Sequence, residues 1–411
     1  MTWVDWVALL LVPVRIAWSA VVFSLALAAA ICSWLCRGPQ VGARLVDHFV
    51  RGVGGSPIKL CQWLSTRQDL IGPSWAEAFK RLLDGVNAPP RWLLRLMIRR
   101  GAKRLGLEIA KIHFPPLGSG SVACALKVDL ADGRPVVFKV ARLGYRLVAR
   151  TDRFLYLALG YCIHPFMPFV NVPQQLGRFA RRAIEQGDML VERANLEALA
   201  SAVTRHAGVK VPKVLGATHD VCAMELVAEA HPLGSGADDR GPAVAVVRSL
   251  LAQVFREEVL HCDAHPANVL VTGDGTAWFI DGGLAERLTP PERERLVMGI
   301  GGLLGLDAAA LAAALIAAAP KPPKLEPPKR AIFEEELRGF AQRAGEAIKN
   351  PDFRLTRLVI ELFDILRRFK IGADPNLVMA NTALAIAESY TSLAKVDVRF
   401  EAMAAMRPLP K

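Results

Sequence analysis

The chain has 411 residues, 52% hydrophobic and 22% charged, which excludes disorder and gives enough length for two or three domains with substantial cores. Its 32 Gly and 27 Pro follow no short period, so collagen-like and low-complexity classes are excluded too. Lys and Arg number 51 against 39 Asp and Glu, a net charge of +12 that, with a positive mean hydropathy, suggests contact with nucleic acid or anionic lipid. The seven cysteines, Cys32, Cys36, Cys61, Cys124, Cys162, Cys222 and Cys262, are odd in number and form no CxxC pair. They read as reduced thiols of a cytosolic compartment, not as a disulfide framework or a zinc knuckle.

From Ile16 to Cys36 run 21 consecutive residues without a charge. A helix of that length covers a bilayer core of roughly 30 Å, so a single span or an inserted segment is expected, the alternative being an apolar helix docked on the folded domain. Arg37, Arg44, Arg51 and Lys59 follow this segment while only Arg15 precedes it closely, which places the C-terminal bulk at the cytoplasmic face of the cell membrane, single-pass or peripheral. A cleaved signal peptide fits less well, because its positive leading region is missing.

Between Arg37 and Lys111 there are 14 Lys and Arg and 5 Asp and Glu, so +9 of the +12 excess lies in one stretch after the apolar segment. Within it, PPRWLLRLMIRRGAKRL places Arg91, Arg95 and Arg99 at i, i+4 and i+8, with Trp92, Leu93, Leu96 and Met97 on other faces. Two readings fit: a basic amphipathic helix on anionic headgroups, and a solvated basic face over a core stripe. No zinc finger or RNA-binding signature accompanies the charge, so anionic membrane lipid is the expected partner and nucleic acid is not.

Val122 to Leu130 and Pro135 to Val140 read as a hairpin turning at Ala131-Asp132-Gly133. Val269 to Thr272 and Thr276 to Ile280 read as a second, turning around Gly273-Asp274-Gly275. Glu192 to Thr204 and Pro242 to Glu258 have helical patterning, and the chain after Ala285 reads as helical to its end apart from the Pro- and Lys-rich Pro320 to Lys329.

The chemistry concentrates in HCDAHPANVLVTGDGTAWFIDGG, His261 to Gly283. Phosphoryl transfer needs a carboxylate near the acceptor hydroxyl or water, and oxygen ligands that hold Mg²⁺ against the phosphates. Asp263 supplies the first; Asn268 and Asp281, brought together by the hairpin, supply the second. Upstream, Gly118, Ser119, Gly120 and Ser121 form a small-residue turn that lets backbone N–H groups approach phosphate, and Lys139 lies on the next strand where its ammonium can reach the α- and β-phosphates. Lys139 in the apolar run VVFKVA needs a counter-ion; Glu192 is the expected one and Glu225 a weaker candidate. His261 and His265 read as hydrogen-bonding residues of the loop, Cys61, Cys124 and Cys262 as small residues, and Asp188 as a helix cap.

Together these segments make the sequence resemble the UbiB family of atypical kinase-like ATPases. IKLCQWLSTRQDL, Ile58 to Leu70, matches the family's KxGQ motif region, with Lys59 and Gln62 in the motif positions. The similarity continues through the phosphate loop, Lys139, ERAN at Glu192 to Asn195, HxDxHPxN at His261 to Asn268, Asp281 and ADPN at Ala373 to Asn376. It implies an α+β, protein-kinase-like fold with a β-rich N-lobe and a helical C-lobe, ATP between them. The expected organisation is a membrane-associating segment at 1–36, a basic KxGQ extension at 37–111, the N-lobe at 112–228 and the C-lobe with C-terminal helices at 229–411.

The resemblance further implies ATP and Mg²⁺ as cofactors, Lys59 and Gln62 near the nucleotide, and hydrolysis that supports ubiquinone or related isoprenoid-lipid synthesis, with isoprenoid-quinone enzymes or lipid intermediates as partners. A small-molecule or lipid phosphotransferase and a nucleotide-binding scaffold are the alternatives. Five family positions differ here: the KxGQ glycine is Cys61, the acidic ExD pair is Gln186-Gly187-Asp188, the alanine-rich loop is Gly118-Ser119-Gly120, DFG is Asp281-Gly282-Gly283, and the HPGN glycine is Ala267.

Overall fold

In the computed structural model the described residues are 88–166, 172–204, 206–294, 308–319, 325–347, 350, 354–372 and 375–406, with Cys61 and scattered positions between 13 and 28. Lys59, Gln62, most of the apolar segment 16–36 and the first part of the basic extension lie outside them. Among the described residues no helix is long and apolar enough to cross a membrane.

These residues divide into two units. The first contains helix α1 (Arg91–Leu105), strands β1 (Ile109–Ile112), β2 (Gly118–Ser119), β3 (Ala123–Leu130) and β4 (Pro135–Ala141), helices α2 (Tyr145–Ile163) and α3 (Val172–Gln186), the start of α4 (Met189–Val203), and, after β5 (Val209–Lys210) of the second unit, strands β6 (Val214–Ala217) and β7 (Val221–Glu225). Its antiparallel sheet runs β1-β3-β4-β7-β6, with β2 also on β3. The β3–β4 hairpin turns at Gly133, whose φ of +85° an L side chain adopts only with strain. Strand alternation decides what each face carries: Val136, Phe138 and Val140 of β4 enter the core with Leu126 and Val128 of β3, and this fixes Lys139 on the opposite face.

Helix α1 closes that core. It buries Leu94, Ile98, Gly101 and Ala102, spaced at three and four residues, and a Cβ at Gly101 would come within 2.9 Å of Val221, so glycine permits the close approach to β7. Gly106, with φ +67°, ends the helix. The basic residues therefore lie over a core stripe, on the side of the helix that faces away from the sheet. The boundary expected at 111/112 falls inside β1, because β1 pairs with β3 and belongs to the same sheet.

Helices α2 and α3 follow β4 as an antiparallel pair and were not anticipated from the sequence. Gly160 makes their approach possible, since a Cβ there would come within 2.7 Å of Pro173 Cα.

The second unit holds the rest of α4, β5, β8 (Ala230–Pro232), α5 (Arg240–Phe255), β9 (Val259–His261), β10 (Val269–Thr272), β11 (Ala277–Phe279), β12 (Ala285–Arg287) and helices α6 (Ala308–Ala318), α7 (Pro327–Ala347), α8 (Leu355–Arg368), α9 (Pro375–Ala394) and α10 (Val398–Met406). Its larger sheet runs β5-β11-β10-β8, and β9 pairs with β12, a strand in a region expected to be helical. Helix α5 is buried along most of its length, and α9 packs against it within one apolar cluster that includes Leu250, Leu251, Phe279, Phe340 and Tyr390.

A core role for α1 predicts that Leu94→Ala lowers unfolding stability by about 2–5 kcal/mol. Trp92→Ala, at a side chain 68% exposed, is expected to change it by less than about 0.5 kcal/mol. Denaturant unfolding of the two variants checks the contrast; equal losses would mean the helix does not pack as described.

Candidate active site

Strand β2 pairs with β3 in the register Gly118↔Ala125 and Ser119↔Cys124, and the chain turns at once, with Gly120 N–H donating to the Ala123 carbonyl at 2.9 Å. A Cβ built on Gly118 meets nothing within 4 Å, and one on Gly120 meets only the Ala123 oxygen at 3.5 Å. The protein's own packing therefore does not demand glycine at either place, and an alanine-rich loop would fit the same backbone. Cys124 is 1% exposed and its thiol donates to the Gly118 carbonyl at 3.3 Å. Burial pushes this thiol up, against lowering contributions from Ser119 and Arg142, so it stays protonated at neutral pH and acts as a small packing residue.

Lys139 pairs with Glu192 at 2.6 Å, Nζ donating to Oε1, with side chains 14% and 1% exposed. Two charges this far from water persist only when each compensates the other. Glu225 is not involved: it ends β7, where its carboxylate accepts the Lys213 N–H at 3.2 Å.

Glu192 stands in the first turn of α4, and the segment before that helix anchors it. The Leu190 N–H donates to Asp188 Oδ1 at 3.1 Å, the Asp188 carbonyl accepts from Val191 and Glu192, and Met189 N–H donates to the His219 carbonyl at 3.2 Å. The Asp188 carboxylate also lies 2.9 Å from His219 Nδ1 and 3.2 Å from Arg146 Nη2. Asp188 is thus the expected cap and a charge junction as well. Gly187 beside it is a packing requirement: a Cβ there would strike the Tyr145 ring and come within 2.9 Å of Arg146 Cγ.

In the second unit the β10–β11 hairpin brings the acidic residues to one end. Val269 pairs with Phe279, so Asn268 and Asp281 flank the same end of the ladder, and Ile280 N–H donates to the Asn268 carbonyl at 3.1 Å. Asn268 Nδ2 donates to the Asp263 carbonyl at 2.9 Å, which leaves its amide oxygen as the atom it can offer a cation. Asp281 Oδ1 accepts Gly283 N–H at 2.6 Å, and Asn195 Nδ2 donates to the Gly282 carbonyl at 2.8 Å. Small Gly282 and Gly283 thus still hold a defined turn. One amide oxygen and one carboxylate match the sparse protein ligation of Mg²⁺, which keeps several waters and takes its remaining ligands from phosphate. Among the described residues there is no group of three or more His, Cys, Asp or Glu that could hold a metal ion.

The loop bearing Asp263 is held from several directions. His261 is fully buried, stacks edge-on against Phe279 at 5.0 Å, and accepts the Asp263 N–H at Nδ1 over 3.3 Å. The backbone N–H of His261 donates to Gln253 Oε1 of α5 at 2.7 Å. Tyr390 of α9 donates its hydroxyl to the Ala264 carbonyl at 2.8 Å. Gln253, Tyr390 and Asn195 were not assigned these roles from sequence; a buried Gln on an apolar helix was the one available signal.

The ABC1 atypical kinase-like domain matches residues 94–315. A protein of Azotobacter vinelandii named "Probable protein kinase UbiB" is 25% identical over 367 residues, which is 85% of this chain and 67% of that one. Its counterpart of the same name in Pseudomonas fluorescens is 26% identical over 374 residues, covering 85% and 68%. Among solved structures, Rv3197 of Mycobacterium tuberculosis, determined in complex with erythromycin, superposes with a TM-score of 0.53 at 18% identity over 87% of this chain and 94% of that one, a likeness of fold.

The Gly187 contact predicts that Gly187→Ala destabilises the fold by about 1–3 kcal/mol through overpacking, read as a lower unfolding temperature. Gly118→Ala, facing open space, is expected to leave it unchanged. Calorimetric scans of both variants test the asymmetry; a tolerated Gly187→Ala would contradict the packing of the α3–α4 connection against the start of α2.

Proposed function

Since the chain belongs to the ABC1, or UbiB, family of atypical kinase-like proteins, we propose that it uses Mg-ATP as an atypical kinase-like ATPase at a membrane, in support of ubiquinone or other isoprenoid-lipid synthesis. The observation that carries this reading is the buried Lys139–Glu192 pair at 2.6 Å, the arrangement by which a kinase-type lysine is aimed at the α- and β-phosphates. Asn268 and Asp281 would hold Mg²⁺, whose chemistry is to neutralise charge on the phosphates. Asp263, oriented by its neighbours on the loop, would accept the proton of the attacking water or hydroxyl. Lys59 and Gln62 are assigned to the nucleotide site through the family motif alone.

Membrane association is part of the proposal. It rests on the uncharged segment 16–36 and on the outer face of α1. That helix carries Arg91, Arg95, Arg99, Arg100, Lys103 and Arg104 and no acidic residue, with Trp92 and Leu96 exposed at 68% and 57%. Cations interleaved with exposed apolar side chains suit anionic headgroups at the cytoplasmic face of the membrane. Isoprenoid-quinone enzymes or their lipid intermediates are the partners this placement favours.

The deciding experiment measures Mg²⁺-dependent ATP turnover by the full chain on anionic liposomes, with Asp281→Asn beside the wild type. Wild-type turnover that requires the liposomes, and a loss of about a hundredfold or more in the variant, are expected. Stoichiometric transfer of phosphate to an extracted lipid would replace hydrolysis by a phosphotransferase reaction. Equal inactivity of both proteins with Mg-ATP still bound would leave a nucleotide-binding scaffold.

A further inference from the structure

We propose that Arg142 is the positioning residue of the phosphate loop, clasping Ser119 and Gly120 so that the Ser121 N–H is presented to a nucleotide's phosphates. The inference rests on the Mg-ATP reading above and concerns a residue to which neither the family motif segments nor the sequence pattern gave a role.

The loop Gly118-Ser119-Gly120-Ser121 has little to hold it in shape. Glycine loses more conformational freedom on ordering than any other residue, and β2 is only two residues long. Arg142 lies three positions after Lys139, immediately beyond β4, and its backbone N–H donates to the Val122 carbonyl at 2.8 Å, which brings the side chain to the loop. From there Nε donates to the Gly120 carbonyl at 2.8 Å and Nη2 donates to Ser119 Oγ at 3.1 Å. A guanidinium presents these donors in a rigid plane, so two adjacent residues are fixed by one group; a lysine ammonium has no such fork. On the third residue, Gly118, the carbonyl is taken by the Cys124 thiol at 3.3 Å.

The consequence follows from peptide geometry. In a planar trans peptide the carbonyl and the next N–H point in opposite directions. Holding the Gly120 oxygen against Arg142 therefore turns the Ser121 N–H away from it. That N–H donates to no group among the described residues, whereas the neighbouring Gly120 N–H is satisfied by Ala123. An N–H fixed in direction and without an internal acceptor, on a loop bearing a cation, is what an anionic phosphate oxygen requires. The cradle is open: a Cβ at Gly118 would meet nothing.

The test compares wild-type full chain with Arg142→Gln and Arg142→Lys, reading affinity for Mg-ATP and for adenosine by displacement of a fluorescent nucleotide, and the unfolding temperature without ligand. Arg142→Gln is expected to weaken Mg-ATP binding by about tenfold or more while adenosine affinity and the ligand-free unfolding temperature stay at wild-type values. Arg142→Lys, with the charge but not the fork, is expected to lose most of the same affinity. Wild-type Mg-ATP affinity in Arg142→Gln, proportional loss of adenosine and Mg-ATP, or full rescue by lysine would each overturn the role. A wild type that binds adenosine but gains nothing from phosphates would overturn the Mg-ATP reading itself, and this inference with it.

Discussion

An ammonium on a β-strand inside a protein needs a carboxylate, and the first unit is organised around meeting that need. Alternation in β4 fixes Lys139 on the face away from α1, where it is largely removed from water. Its partner Glu192 must then be delivered by a separate element at hydrogen-bonding distance, with little tolerance, because a buried charge left without compensation is strongly destabilising. The elaborate start of α4 becomes intelligible on those terms. Asp188, His219, Arg146 and Gly187 all act on where that helix begins, and its beginning decides where the carboxylate lies.

The second unit solves a related problem by different means. Its polar residues lie close in sequence, and a tight hairpin is enough to bring Asn268 and Asp281 together. What such a short segment cannot do is stabilise itself, since its backbone groups would otherwise face water or apolar side chains. Gln253 satisfies one of those groups from the preceding helix, and Tyr390 and Asn195 satisfy others from helices distant in sequence. The chemistry is thus local and its support is not.

That difference explains what was legible in the sequence. The two hairpins could be read within a residue or so because Gly133 and Gly275 mark turns between alternating strands, and both take positive φ in the structure. The Lys139–Glu192 pair was legible because an apolar strand with one lysine poses a question that few residues can answer. The α2–α3 pair was not, since its stretch carries no motif and its register depends on contacts such as Gly160 against Pro173. Nor was β12, three residues held as a strand by pairing with β9. The basic helix shows the limit most clearly: Arg91, Arg95 and Arg99 announce one face, but only the sheet beneath reveals that Leu94 and Ile98 belong to the core.

The hydroxyl of Tyr390 has one more implication, for the order in which the molecule is completed. The carbonyl it holds belongs to Ala264, 126 residues earlier. A ribosome that has finished the acidic loop has yet to make α9, and domains form from the N-terminal side as the chain emerges. The loop therefore receives this anchor only after a further 126 residues have been made. A nascent polypeptide, or one shortened before α9, would carry Asp263, Asn268 and Asp281 without it, so assembly of the acidic site waits on synthesis of α9.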